Sequence, residues 1–401
     1  MVVVRRPRRA ARQGPGEREE FYMYGEQLKI VEEAEHLGVP VASKGSPKLL
    51  LDERLKKARR AIHGTISYFD HKNILNVMVK LDLWQKVYKA VILYGLNTAR
   101  LSAADIKRLD SFQVKILKAT LSVSRRASNA KTRILCGQPA LSTEVWRRRL
   151  SEMSSILIKG TLAQRYIYLN LLISNKKSWS WKGIEKLRAL MGEGGPEPVA
   201  FLRRGEKRVK EDIKVMLYAE DQRNLARDVS GEGRCFDVPT NLFQGPRPMI
   251  LLDFSAESKR EVRSFSQVFT GDFYRNYGIG CFVCQRPVKD NTEHLLGSGC
   301  EVVALCPEAE ETWSEIKQRL ETAVGAHIVT TSVVHENFRV RFLLDPTSHK
   351  LGDWRVPVED LQLSGLDRLI RKFAHRRLMR RYRIVRLRGQ LRDNTLGQQL
   401  A

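Results

Sequence analysis

Apolar residues recur at three- and four-residue spacing over most of this chain, a pattern that predicts helices rather than strands. Two short strand-like runs, Gln27–Val31 and Leu37–Val41, come first. From Lys48 to Ser67 the apolar positions Leu51, Leu55, Ala58 and Ile62 share one helical face, leaving Arg54, Lys56, Lys57, Arg59 and Arg60 to water. Trp84–Leu96 reads as a second apolar helix, closed by Tyr94-Gly95. Ser102 and Asp105 then form a capping box, in which each side chain accepts a backbone N–H that the first helical turn leaves unpaired. Behind it Ile106, Leu109, Phe112, Ile116 and Leu117 make an apolar stripe, with Lys107, Arg108, Lys115 and Lys118 facing away. Gly137-Gln138-Pro139 marks a turn, and Leu141–Ile158 resumes a helical pattern.

Beyond residue 174 the pattern weakens. Asn175–Trp181 is polar, Gly192–Pro198 reads as a loop, and Val209–Ala226 as a charged helix. Gly245–Pro248 breaks the chain before a strand-like Met249–Phe254. Ser364 and Asp367 supply a second capping box for a helix through about Arg388, with Leu366, Ile370, Phe373, Leu378, Tyr382 and Val385 packing inward. The expected fold is mainly α: a short β remnant near the N-terminus, a helical region, a small cysteine-bearing module and a basic C-terminal helix. The expected divisions are 1–20, a disordered basic arm; 21–173, helical; 174–248, a charged connector; 249–325, the cysteine module; and 326–401, the basic helix region.

Charge changes this picture more than size does. In 401 residues, 70 Lys and Arg stand against 45 Asp and Glu, a net +25. A hydrophobic fraction of 42% argues against wholesale disorder, so the excess charge belongs to a folded protein with a polyanionic partner. No apolar run approaches the roughly 20 residues of a membrane span. Val2–Val4 is too short for the core of a secretory signal, so an intracellular setting is expected.

Four of the six cysteines crowd into one stretch, as Cys281-x2-Cys284-x9-His294-x5-Cys300, with Cys306 close behind. A Cys-x2-Cys knuckle presents two thiolates from one tight turn, and a His followed by a Cys supplies a second pair. Four filled positions leave no room for a reactive water, so the expected role is a structural zinc site. Cys306 competes with Cys300 as the fourth ligand.

Arg371, Lys372, Arg376, Arg377, Arg380, Arg381, Arg383, Arg386 and Arg388 put nine cations on the last helix without an intervening acid. A solvated face intersperses both signs, so phosphate contact is expected; an anionic membrane surface would suit the same helix. Arg147, Arg148 and Arg149 follow Trp146, a pattern fit for phosphate beside an aromatic platform, or for arginine stems lying over a core. No Gly-rich phosphate loop, nucleophile elbow or His-Glu-x-x-His occurs. Glu315-Ile316-Lys317 fits half of a nuclease motif but falls in a helix, so catalysis by this chain alone is not expected.

Glu35-His36-Leu37-Gly38-Val39, Arg54 with Lys57-Ala58-Arg59, Leu93-Tyr94-Gly95-Leu96, Leu109-Asp110-Ser111-Phe112-Gln113 and Gly137-Gln138-Pro139-Ala140-Leu141 follow one another in an order that resembles reverse transcriptases of non-LTR (LINE-type) retrotransposons. The Arg147–Arg149 cluster and the Cys-Cys-His-Cys stretch continue the resemblance to about Cys306. It implies that Leu37-Gly38-Val39 closes a polymerase palm, that the helices beyond form the thumb, and that the cysteines are a C-terminal zinc motif. It also implies that the catalytic Asp pair lies upstream of the Leu-Gly-Val strand, outside this chain. The expected product is then a C-terminal portion that holds RNA or an RNA/DNA duplex and does not polymerise by itself. Magnesium would enter only with a supplied palm. Association with the remainder of a retroelement polyprotein, and a nuclear or cytoplasmic ribonucleoprotein, follow as implied partner and place. The competing readings are a host nucleic-acid-binding protein with a zinc module, and a co-opted structural or regulatory zinc protein working through protein contacts.

Overall fold

The computed structural model describes residues 47–67, 76–174, 178–230, 256–271, 306–325 and 365–399 as continuous stretches. It also describes shorter pieces at 2–4, 22–23, 26–27, 29–31, 33–36, 39–42, 292–297, 338–344, 350–351 and 354–355, and positions 176, 243, 281, 284, 300 and 329. The expected strand Met249–Phe254 lies outside them.

The described fold is helical, as the periodicity predicts. Helix α1 is Pro47–Ile62, followed by a π-turn at His63–Ser67. Helix α2, Val77–Leu83, continues through a π-turn at Trp84–Tyr88 into α3, Lys89–Leu93. Helix α4 is Ala103–Thr120, α5 Asn129–Cys136 and α6 Leu141–Lys159. Next come α7, Leu162–Ser174; α8, Trp179–Met191; α9, Pro198–Leu202; and α10, Glu206–Ser230. Helix α11 is Ala256–Thr270, α12 Thr292–Leu296, α13 Pro307–Val324, α14 Phe338–Leu344 and α15 Leu366–Gln399. Among the described residues strands occur only as isolated two-stranded pairs, such as Glu33–His36 with Val39–Ala42.

The capping box opens α4 as its chemistry requires. The Asp105 carboxylate accepts from Ser102 N at 3.1 Å, while Asp105 N donates to Ser102 Oγ at 3.2 Å. Gly137 ends α5 in the left-handed region, φ +61°, where a side chain would be strained.

The chain forms two compact units, each discontinuous in sequence. The first comprises 1–68, 84–112 and 141–217. Within it Leu51, Leu55, Ala58 and Ile62 are buried, as their spacing predicts, but Arg54 is buried too, with its guanidinium over the Tyr94 ring at 4.5 Å. Tyr94 gives Arg54 a π-face that no helical wheel of α1 reveals. A continuous apolar cluster joins Leu150, Met153 and Leu157 of α6 to Tyr168, Ile184, Leu187, Phe201, Val209, Ile213 and Leu217. This cluster runs across the expected boundary at residue 174, because α8 and α9 pack on α6 instead of forming a charged connector. Helices α7, α8 and α9 went unread in the sequence, although Ser178 caps α8 by accepting from Trp181 N.

The second unit comprises 69–83, 113–140 and 218–401. Its described core is built on α15, against which α11 and α13 pack through Phe265, Ile316, Leu320, Ile370 and Phe373. Ser264 Oγ and His375 Nδ1, 2.8 Å apart, tie α11 to α15. Lys118, expected on the wet side of α4, is buried and donates to the Arg125 carbonyl at 3.0 Å, bracing the turn before α5.

Candidate metal centre and basic faces

The cysteine cluster assembles around α12. This short helix buries Leu295 and Leu296, which fixes the adjacent His294 in the interior, 6% exposed. The ligand atoms of Cys281, Cys284, His294 and Cys300 all lie within 4.8 Å of one another, and Cys284 Sγ is 3.3 Å from His294 Nε2. A tetrahedral ion with ordinary metal–sulfur and metal–nitrogen lengths sets its donors about 3.5–3.8 Å apart. The donor set therefore fits a metal ion with little rearrangement. Cys281, His294 and Cys300 are buried and Cys284 is half-buried.

Geometry also decides between Cys300 and Cys306. Cys300 belongs to the group of four. Cys306 instead stands before α13, its thiol donating to the Glu308 carboxylate at 3.2 Å, and burial pushes its pKa up.

The basic helix divides into two populations. Arg371, Arg377 and Arg381 are interior, at 3%, 0% and 0% exposed, so the expectation that they meet phosphate is corrected. Arg371 pairs with Asp367 one turn earlier, at 2.7 Å. Arg377 pairs with Glu310 of α13 and lies over the Phe373 ring at 5.3 Å. Arg339 shares the same carboxylate at 2.7 Å and stands 4.7 Å from the same ring. Burial, with Arg339 beside it, lowers the pKa of Arg377 to about 10. Arg381 turns to the cysteine cluster, its Nη1 3.8 Å from Cys281 Sγ. The physical reason is spacing: Phe373, Arg377 and Arg381 are four apart and share the face that packs inward.

The others stay near water. Arg380 and Arg383 are exposed and Lys372 is half-buried. Arg376, also half-buried, donates to Thr312 Oγ1 and to the Glu308 carbonyl, which fastens α15 to α13. The side chains of Arg386 and Arg388 lie outside the described residues.

Arg147, Arg148 and Arg149 divide in the same way. Arg149 is buried, donating from Nε to the Asn97 carbonyl at 2.9 Å and from Nη2 to the Ala99 carbonyl at 2.6 Å. It stacks on Trp146 at 4.7 Å, and burial lowers its pKa to about 10. Trp146 in turn packs on the apolar cluster of the first unit, so this ring is a prop for Arg149 and not a platform for a base. Arg147 and Arg148 are half-buried. Arg147 grips Glu144, itself 1% exposed, at 2.9 Å, and Lys89 approaches the same carboxylate at 3.3 Å. Burial lowers the pKa of both Lys89 and Arg148. Glu144 and Lys89 carry no sequence motif; only the folding of α3 onto α6 brings them together.

Comparison of the chain with family models, with curated proteins and with solved structures finds no match. No described helix is long and apolar enough to cross a membrane.

Proposed function

We propose that this chain is a nucleic-acid-binding, zinc-containing C-terminal portion of a non-LTR reverse transcriptase, holding RNA or an RNA/DNA duplex without polymerising it. The observation that carries the reading is a converged Cys3His donor group within a chain of net charge +25. Three thiolates and one imidazole are the soft, tetrahedral donor set that suits Zn²⁺. The metal would fold its module and supply no chemistry. Of the cations singled out in the sequence, Lys372, Arg380 and Arg383 on α15 and Arg148 on α6 stay near water and take the phosphate contact. The ordered motifs that resemble the polymerase thumb support the choice of RNA or a hybrid duplex as ligand. A nuclear or cytoplasmic ribonucleoprotein, joined to the remainder of the polyprotein, is the setting this reading assigns.

The test is fluorescence anisotropy of the full chain with a structured RNA and with an RNA/DNA duplex, over a salt series. Phosphate neutralisation requires affinity to fall steeply and linearly in log–log form with salt. Elemental analysis should find about one equivalent of zinc, lost in Cys281→Ser and His294→Ala. No binding even at low salt overturns the nucleic-acid reading.

One observation favours a second reading, a co-opted protein that acts through protein contacts. Helix α7 leaves Leu162, Tyr166, Ile167 and Ile173 between 58% and 87% exposed, a larger apolar display than scattered surface residues make. Absence of RNA binding in the salt series would leave this reading in place.

A further inference from the structure

We propose that Arg381 is the counter-ion of the metal centre: a buried guanidinium that donates to the Cys281 thiolate and balances the negative charge of a Cys3His-bound divalent ion. The proposal rests on the metal reading above. Its starting point is charge arithmetic. Three thiolates and a neutral imidazole around a divalent ion sum to −1, and Cys281 and Cys300 hold that charge in the interior. An isolated buried charge is expensive, and a buried guanidinium is equally so; each is the natural partner of the other.

The geometry places them together. Arg381 is 0% exposed and its Nη1 is 3.8 Å from Cys281 Sγ, within reach of an N–H···S bond. Arg377 lies one turn earlier on the same face, equally buried, with Cys300 and Cys306 acting on it electrostatically. Its Nε and Nη1 have no hydrogen-bond partner among the described residues. Arg377 is already paired with Glu310, so Arg381 is the guanidinium in contact with a sulfur of the cluster.

Two consequences follow. The site should favour a Cys3His donor set over a neutral Cys2His2 one, because only the former gives Arg381 a charge to balance. Metal loading should also hold the first half of α15 against the cysteine module.

The test titrates the full chain with Co²⁺, whose absorption reports thiolate coordination, and then competes zinc away with a chelator. Arg381→Met, similar in length and uncharged, should lower metal affinity about 10- to 100-fold and shift the thiolate-to-cobalt band. Cys300→His, which makes the centre neutral, should weaken binding strongly with Arg381 present and much less in the Arg381→Met background. Arg381→Gln, which keeps an N–H donor but no charge, repeats the comparison where the Met variant does not fold. Unchanged affinity and spectrum in both neutral variants, or an equal Cys300→His penalty in both backgrounds, overturns the counter-ion role while leaving the metal site standing. Failure of the unmodified chain to take up either metal overturns the metal reading itself, and the counter-ion with it.

Discussion

Arg149 separates a structural arginine from a phosphate-binding one with a single substitution. Arg149→Ala removes two charge-assisted hydrogen bonds, to the carbonyls of Asn97 and Ala99, and a stack on Trp146. Bonds of this kind contribute about 1.5–3 kcal/mol each, and a partly desolvated cation–π contact about 1 kcal/mol. Against this stands the cost of burying the guanidinium, which the lowered pKa of Arg149 records and which the alanine variant recovers. The balance is a loss of about 3 kcal/mol. With a urea m-value of about 3 kcal/mol/M, this moves the unfolding midpoint down by about 1 M. Far-UV circular dichroism of the helices reads the transition in both proteins. Arg149→Lys should recover little, since an ammonium cannot span two carbonyls with a planar fork. The half-buried neighbour Arg148 supplies the contrast: its alanine variant should leave the stability within about 0.5 kcal/mol of the parent while reducing the salt slope of RNA binding by about 1. If Arg149→Ala keeps the parental midpoint and instead loses RNA affinity, the interior assignment of Arg149 is wrong.

Asp221 in the second unit accepts from the Arg133 guanidinium and from Ala140 N, the latter at 2.8 Å, and is 5% exposed. Asp221→Asn should therefore cost about 2–3 kcal/mol, read by chemical denaturation, since it leaves the half-buried Arg133 without its charge partner. In the first unit, Glu206 accepts from Lys159, Lys210 and Ser155, and these bonds hold its carboxyl at about 2 instead of 4.5. A lowered folded-state pKa means the unfolded chain binds the proton more readily, so this stability is fully present above pH 4.5 and drains away as pH falls towards 2. Melting temperatures recorded between pH 5 and pH 2 should fall less steeply in Glu206→Gln than in the parent; parallel curves would show that the carboxylate contributes nothing.

Helices with a clean apolar stripe were legible from sequence. Leu51, Leu55, Ala58 and Ile62 on α1, and Leu109, Phe112 and Leu117 on α4, are buried where periodicity places them. The Ser102 and Asp105 box was legible because a capping box is a local device, complete within four residues. The metal cluster was legible for the same reason: thiolates and imidazole at loop spacing have few other uses, and the four donors do converge. Helices α7 to α9 were hidden because their apolar residues meet partners on α6 and α10, so no single segment shows a complete face. Glu144 and Lys89 were hidden for a related reason, since their pairing joins two helices more than fifty residues apart in the chain.

The arginines failed in a more instructive way. Charge alone assigns a long cation to a solvated or phosphate-facing side, and a helical wheel contradicts this at two positions of α15. Counting in fours from Phe373 reaches Arg377 and Arg381, both on the packed face of α15, and both are fully buried. Arg54 sits one residue before Leu55 and still turns inward, drawn by the Tyr94 ring. What distinguishes these arginines from Arg380 and Arg383 is a partner: Glu310, the Cys281 sulfur and an aromatic face. The guanidinium tolerates the interior because its planar fork and weak hydration let it share a carboxylate, a thiolate or a π-face. Net charge therefore overstates the surface available to a polyanion. Part of the +25 is spent inside the protein, and the nucleic-acid reading must be carried by the cations left outside. Salt dependence measures that remainder directly. A slope set by Lys372, Arg380, Arg383 and Arg148 is much shallower than one set by every arginine of α15, so the number of counterions released counts how many of these cations the fold has kept for a ligand.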